Sequence, residues 1–329
     1  MKNQTTSPMA TIRSPNLSAV ALCGGFVVLV LFLSGCWVST STPNPLPGRV
    51  RVRHVIVSVE PHAFLVERIS GGRVIAEVIV PTGKDPESYQ PTPSTIKTLT
   101  SAGAWFQTGL GFEPFLRQKL ESLSQTPVPI IDLRQGIPLR SLELHSGHDA
   151  DGLHHHDLDC SHDGLDPHIW LSPAALLIQA KTVYKTLREI EPEWADFFTE
   201  NYEQLEKEID AVQKNLSTRL APLRGKTVFV YHPAYGYFCD EFGLRQEAIE
   251  IEGRSPKPQQ IAAWIEKIKS QPQKPAIIVQ PQFDQTAAKA IAEATGCEVV
   301  PHSPLERNIL ENLQRLEGII RPPATDESF

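Results

Sequence analysis

The stretch EWADFFTENYEQLEKEIDAVQKNLSTRLAPL, Glu193 to Leu223, is the most regular in the chain. Apolar side chains recur at Trp194, Phe198, Tyr202, Leu205, Ile209, Val212, Leu216 and Leu220, in steps of three or four, with no glycine or proline before Pro222. That period lines them along one stripe of an α-helix. At about 1.5 Å per residue, 31 residues reach roughly 46 Å, enough to run along two lobes. A coiled-coil segment would carry the same pattern over three heptads, so the flanking sequence has to decide between them.

On both sides, short β-rich runs alternate with helical stretches. Strands are expected at His54–Val59, Val74–Val80, Ala104–Thr108 and Pro129–Leu133, and again at Thr227–Tyr231, Gln246–Ile251, Ala276–Gln280 and Glu298–Val300. Between the first two lies the helical pattern AFLVERI, stopped by Gly71-Gly72. Such alternation reads as parallel sheet covered by helices. The expected fold is therefore α/β: two Rossmann-like lobes of four-stranded parallel sheet, residues 51–192 and 224–321, joined by residues 193–223 as a backbone helix. A helix packed on both lobes makes a stiff hinge, so small domain motions are expected rather than wide closure.

A length of 329 residues suits two such lobes, and 41% apolar with 21% charged residues suits a globular chain. The formal charge of −7, with no Lys/Arg run, argues against nucleic acid as partner. The N-terminus is a separate matter. Lys2 and Arg13 precede the apolar run LSAVALCGGFVVLVLFL, Leu17 to Leu33, and then Ser34-Gly35-Cys36. Basic, apolar and small residues in that order form a secretion signal, residues 1–35, although 17 apolar residues also approach the length of a membrane span. The ending Leu33-Ser34-Gly35-Cys36 resembles a bacterial lipoprotein cleavage box, which implies that Cys36 is lipidated and becomes the new N-terminus. Removing residues 1–35 takes away two bases and no acid, so the charge goes from −7 to −9. Residues 36–50 read as a lipidated cysteine and an unstructured Ser/Thr/Pro tether. Export implies an oxidising compartment, but Cys160, Cys239 and Cys297 are an odd set and give no disulfide framework.

Ligands in open α/β sheets bind beyond the carboxyl ends of the strands. The residues there are Glu60-Pro61-His62, the PTGKDPESYQP segment with Glu87, and Asp166-Pro167-His168 in the first lobe; in the second they are His232, Glu252, Gln280 and His302. Imidazole and carboxylate gathered where two lobes face each other is a metal-site composition.

Six blocks carry a family resemblance: VSVEPHAFLVERISGG (57–72), PTGKDPESYQPTPS (81–94), DPHIWLSP (166–173), VYHPAYGYF (230–238), IEGRSPKPQQ (251–260) and IIVQPQF (277–283). Together they resemble the binding-protein components of zinc and manganese ABC transporters, across residues 54–320. The resemblance implies two α/β lobes joined by a long helix, a metal held between them, and an ABC permease with its ATPase as partner. It also implies that His168 is a ligand from the first lobe and His232 one from the second. From position alone either would pass as a core histidine. A third ligand is usually the histidine of a P-H-x-Y-E-P block, which here reads Pro86-Glu87-Ser88-Tyr89-Gln90-Pro91. Either Glu87 binds directly or His62 supplies the missing imidazole. His62 is favoured, because family members often carry an apolar or amide residue there. Glu87 as a solvated loop carboxylate and His62 as a helix-start residue are the bland alternatives. The fourth position falls to Gln280, Glu87 or water, with Gln280 also a candidate hydrogen-bonding neighbour. His232 and Gln280 tilt the choice toward Zn2+ over Mn2+.

Residues 144–165 hold six histidines (His145, His148, His154, His155, His156 and His162), five aspartates and no Lys or Arg. Adjacent rings such as His154-His155-His156 cannot all face one ion without strain, so this loop is expected to form several weak, interchangeable metal sites. The whole reads as a lipid-anchored, extracytoplasmic Zn2+-binding protein, a monomer, on the outer face of the cytoplasmic membrane or in the periplasm. A manganese- or iron-specific relative, an exported metallohydrolase and a metal-binding adhesin are the alternatives. No H-E-x-x-H helix, G-x-S-x-G elbow or phosphate-cradling glycine loop supports an enzyme.

Overall fold

The structure is a computed structural model and describes residues 54–123, 127–142, 164–250 and 254–321. Cys36, Glu252 and the histidines at 145, 148, 154, 155, 156 and 162 lie outside the described residues.

The first lobe runs β1 (His54–Val57), α1 (Glu60–Ser70), β2 (Ile75–Val78), α2 (Pro93–Leu99), β3 (Trp105–Gln107), α3 (Glu113–Leu123) and β4 (Ile130–Asp132). After it come α4 (Pro173–Ile190) and α5 (Ala195–Leu220). The second lobe runs β5 (Thr227–Val230), α6 (Gly236–Phe242), β6 (Arg245–Ala248), α7 (Pro258–Lys269), β7 (Ala276–Val279), α8 (Thr286–Thr295), β8 (Glu298–Pro301) and α9 (Ile309–Ile320). Each lobe holds one all-parallel sheet of four strands, in the orders β2-β1-β3-β4 and β6-β5-β7-β8. The strand order reverses direction between β1 and β3 and between β5 and β7, which places a crevice at their carboxyl ends. All eight expected strands form. The central runs VIV and VFV are buried on both faces, as parallel sheets under helices require.

The α-helical part of the spine is 26 residues, about 39 Å, and 3-10 turns at Pro192–Trp194 and Ala221–Leu223 complete the expected span. Pro192 and Pro222 explain the tightening, since neither ring permits an i to i−4 bond. The α5 side chains Phe198, Tyr202, Leu205, Ile209, Val212, Leu216 and Leu220 are buried. The helix packs against α4, α1, α9 and α6. One apolar core therefore runs from the first sheet through α5 to one face of the second, and a smaller core around Phe229, Trp264 and Ile291 covers its other face. Gly71 shows how closely the spine approaches. It ends α1 at φ 57°, and a Cβ there would lie 2.8 Å from the Phe197 ring. No disulfide joins Cys239 and Cys297. Among the described residues no helix is long and apolar enough to cross a membrane.

Candidate metal centre

Three ligand-bearing side chains meet between the lobes: Glu87, His168 and His232, whose donor atoms all lie within 4.8 Å of one another. Each is placed by a different local device.

His232 lies two residues past the end of β5. Its main chain is clamped by Gln280, just past β7: the His232 N–H donates to Gln280 Oε1 at 3.2 Å, and Gln280 Nε2 donates to the His232 carbonyl at 3.0 Å. Its ring packs on Phe283, with centroids 4.9 Å apart and planes 23° off parallel. Its Nδ1 bonds Glu250 Oε1 at 2.7 Å, which leaves Nε2 as the free lone pair. Burial opposes a charge on this ring, but the Glu250 hydrogen bond and the fields of Glu87, Glu250 and Asp85 outweigh it and raise its pKa above the ordinary histidine value. The site is thus shaped for a cation at Nε2.

His168 sits on a tight turn whose first residue, Asp166, accepts from both the His168 main-chain N–H (2.9 Å) and its Nδ1 (2.8 Å). The turn is tied to the first lobe by Thr108 Oγ1, which donates to the Pro167 carbonyl at 3.2 Å. Trp170 lies against the His168 ring, edge on, at 5.3 Å, and its indole N–H donates to the Pro304 carbonyl. Burial pushes the Asp166 carboxyl up, but its bonds to His168 and to Arg140 bring it below the usual carboxylate range, so it stays an acceptor. Both imidazoles are therefore backed by a carboxylate that fixes the Nδ1–H tautomer and aims Nε2 at the cleft.

Glu87 is carried by the loop after β2. Asp85 accepts from the Glu87 and Ser88 main-chain N–H groups at 3.0 and 3.2 Å, a local turn that presents the Glu87 carboxylate. Glu87 Oε1 stands 3.5 Å from His232 Nε2. Two donors bound at about 2.0–2.2 Å to a tetrahedral zinc are about 3.3–3.6 Å apart, so this gap is the edge of a coordination polyhedron as it stands. The two ring centroids are 5.3 Å apart. Both rings are buried, whereas the Glu87 side chain keeps 24% of its surface exposed, so solvent reaches the site from that side.

Two of the candidate residues stand apart from this cluster. His62 is not in the cluster: it is fully buried at the start of α1, with Nε2 on Gln179 Oε1 at 3.0 Å and its ring edge-on to Trp170. The loop carrying Glu87 folds into the cleft and fills that place. Gln280 takes the hydrogen-bonding reading rather than the ligand one, with both its amide atoms bonded to the His232 main chain. Asp166 and Glu250, which back the two imidazoles, have no role of their own assigned from the sequence. Glu250 was absorbed into an expected strand over Gln246–Ile251, but the ladder ends at Ala248, paired with Val230. The signal was present as an acid just past the second strand of the second lobe. Replacing Glu250 by glutamine keeps the bond but removes the charge, and zinc affinity is expected to fall roughly 10–100-fold by competition titration.

Against known proteins, residues 55–316 match the family model ZnuA, described as the periplasmic component A of the zinc-uptake complex. The chain is 29% identical over 271 residues to the high-affinity zinc uptake system protein ZnuA of Yersinia pestis, covering 78% of this chain and 84% of that one. It is also 24% identical over 285 residues to the manganese-binding lipoprotein MntA of Halalkalibacterium halodurans, covering 84% and 87%. A crystal structure of ZnuA superimposes with a TM-score of 0.70 at 30% identity, covering 82% of this chain and 99% of that one.

Proposed function

This chain belongs to the zinc-uptake component A family, the metal-binding subunits of ABC importers rather than enzymes, and on that premise we propose that it captures Zn2+ between Glu87, His168 and His232 and hands it to a permease. The observation that carries this reading is the pair of carboxylate-backed imidazoles, one on each lobe, with a carboxylate 3.5 Å from one of them. A second Glu87 oxygen or a water completes four-coordination. Two imidazoles and one carboxylate favour zinc over manganese, both by donor softness and by the general order of divalent affinities. The manganese reading keeps two supports, the carboxylate where a third imidazole would suit zinc better and a manganese-binding relative.

In this reading the mature chain is exported, held by lipid on Cys36, and works as a monomer beside its permease and ATPase. The histidines of residues 144–165 add several weak sites that collect metal. Calorimetric titration of the mature protein is expected to give one tight zinc site and further weak ones, the weak ones disappearing when residues 145–162 are deleted. Manganese in competition is expected to displace zinc only at a large excess. Displacement at equal concentration, or loss of the tight site on deletion, would overturn the assignment.

A further inference from the structure

His168 is held in place partly from the opposite lobe. Asp166, whose side chain is fully buried, uses Oδ1 for His168 and Oδ2 for Arg140, whose Nη1 donates at 2.9 Å. Arg140 also donates through Nε to Asp240 on α6, at 2.8 Å. Its main-chain N–H donates to the Tyr237 hydroxyl at 3.3 Å, and that hydroxyl donates to the Asp166 carbonyl at 3.1 Å. Tyr237 and Asp240 sit on the helix that begins four residues after His232, so the segments bearing both imidazoles meet at one guanidinium. Gly236, the first residue of α6, makes room for it: a Cβ there would lie 1.7 Å from Arg140 Nη1 and 2.8 Å from Asp166 Oδ2.

We propose that Arg140 is a positioning residue for His168, acting through Asp166, and that its pair with Asp240 makes this positioning depend on contact between the lobes, so that parting them loosens the metal. The proposal rests on the assignment of Glu87, His168 and His232 as the metal site. A buried carboxylate needs a cationic partner to remain a well-placed acceptor, and only a planar, multi-donor guanidinium bridges two carboxylates at once. The two pairs differ in strength. Asp166 is fully buried, whereas the Asp240 side chain is 60% exposed and its pair is screened by water. The outer contact is thus the one a lobe movement breaks first. Its loss leaves Arg140 less constrained and Asp166, with the His168 ring it orients, freer to move.

The test is the zinc dissociation rate from the mature protein into excess chelator, read with the thermal midpoint of the metal-free form and the visible spectrum of the Co2+ form. Arg140→Gln is expected to speed release roughly 10–100-fold, and Asp240→Asn a few-fold, with an altered Co2+ spectrum in Arg140→Gln. Arg140→Lys is expected to recover little, since an ammonium cannot span both acids. Asp240→Asn, a surface change, is expected to leave the thermal midpoint within about 2 °C, which separates positioning from folding. Wild-type rates in both Arg140→Gln and Asp240→Asn, with tight binding still lost in His168→Ala, would overturn the proposal and leave the metal site standing. An effect of Arg140→Gln without one of Asp240→Asn would overturn the coupling to lobe contact. Failure of the wild type to take up one tight zinc would bring down both.

Discussion

Replacing His168 or His232 by alanine is expected to weaken tight zinc binding by hundreds- to thousands-fold. Zinc sites of three or four protein donors carry about 10–16 kcal/mol of apparent binding free energy near neutral pH, so each donor accounts for about 3–5 kcal/mol. Among the described residues, neither His62 nor Gln280 offers a replacement. His62 is spent against Gln179 and Gln280 against the His232 main chain. The loss is compounded behind the ligand, because truncating His232 strips Glu250, itself buried, of its imidazole partner. The two lobes make the prediction sharper. His168 comes from the segment entering α4 and His232 from the end of β5, so equal losses from the two variants mean one ion shared across the cleft. Competition titration against a chromophoric chelator reads both. Affinity within tenfold of wild type in either variant would mean that the ion sits elsewhere.

The fold was legible because its signals are local. Val55-Ile56-Val57 and Val228-Phe229-Val230 are continuous apolar triplets bounded by turn residues, and they sit at the centre of their sheets. The seven buried positions of α5 recur at helical spacing over its whole length. The pairing of His168 with His232 was expected from the family resemblance of their neighbourhoods, DPHIW and YHPAY, and not from position alone. The choice between His62 and Glu87 stayed open in the sequence, since imidazole and carboxylate are both metal donors. The deciding fact is how the loop after β2 folds back, governed by Asp85 capping Glu87 and Ser88 and by Tyr89 lying edge-on to Phe112. The first of these is a sequence-local turn and was open to reading; the second depends on α3 packing beside it. Gln280 had two readings for a related reason: an amide beyond a strand end is a metal neighbour in composition, and here it is a backbone clamp in space.

The metal-free protein is expected to lose stability between pH 7.5 and pH 5, with about 4 kcal/mol of that loss coming from two buried rings that bind no metal. His62 and His302 are both buried, and burial lowers each pKa from 6.5 to about 4. Both are neutral Nε2–H tautomers: His62 donates to Gln179 Oε1, whose own amide N–H goes to the Ile169 carbonyl, and His302 donates to the Asn312 carbonyl. A folded-state pKa below the unfolded value means that the unfolded chain takes up the proton first. Above pH 6.5 both states are neutral and the rings cost nothing. Between 6.5 and 4 the unfolded state is progressively favoured, by about 2 kcal/mol per ring at pH 5. His232 acts in the opposite sense, since its raised pKa lends stability to the folded form as the pH falls. The net slope therefore understates the two rings, and subtraction isolates them. In denaturant unfolding with metal chelated, His302→Asn is expected to reduce the stability difference between pH 7.5 and pH 5 by about 2 kcal/mol relative to wild type, and His62→Gln by a similar amount. An unchanged slope in both variants would mean that these rings are protonated in the folded chain. The same arithmetic ties release to acid: a metal-free protein at pH 5 is disfavoured by His62 and His302 at the very pH where protons compete with zinc for His232.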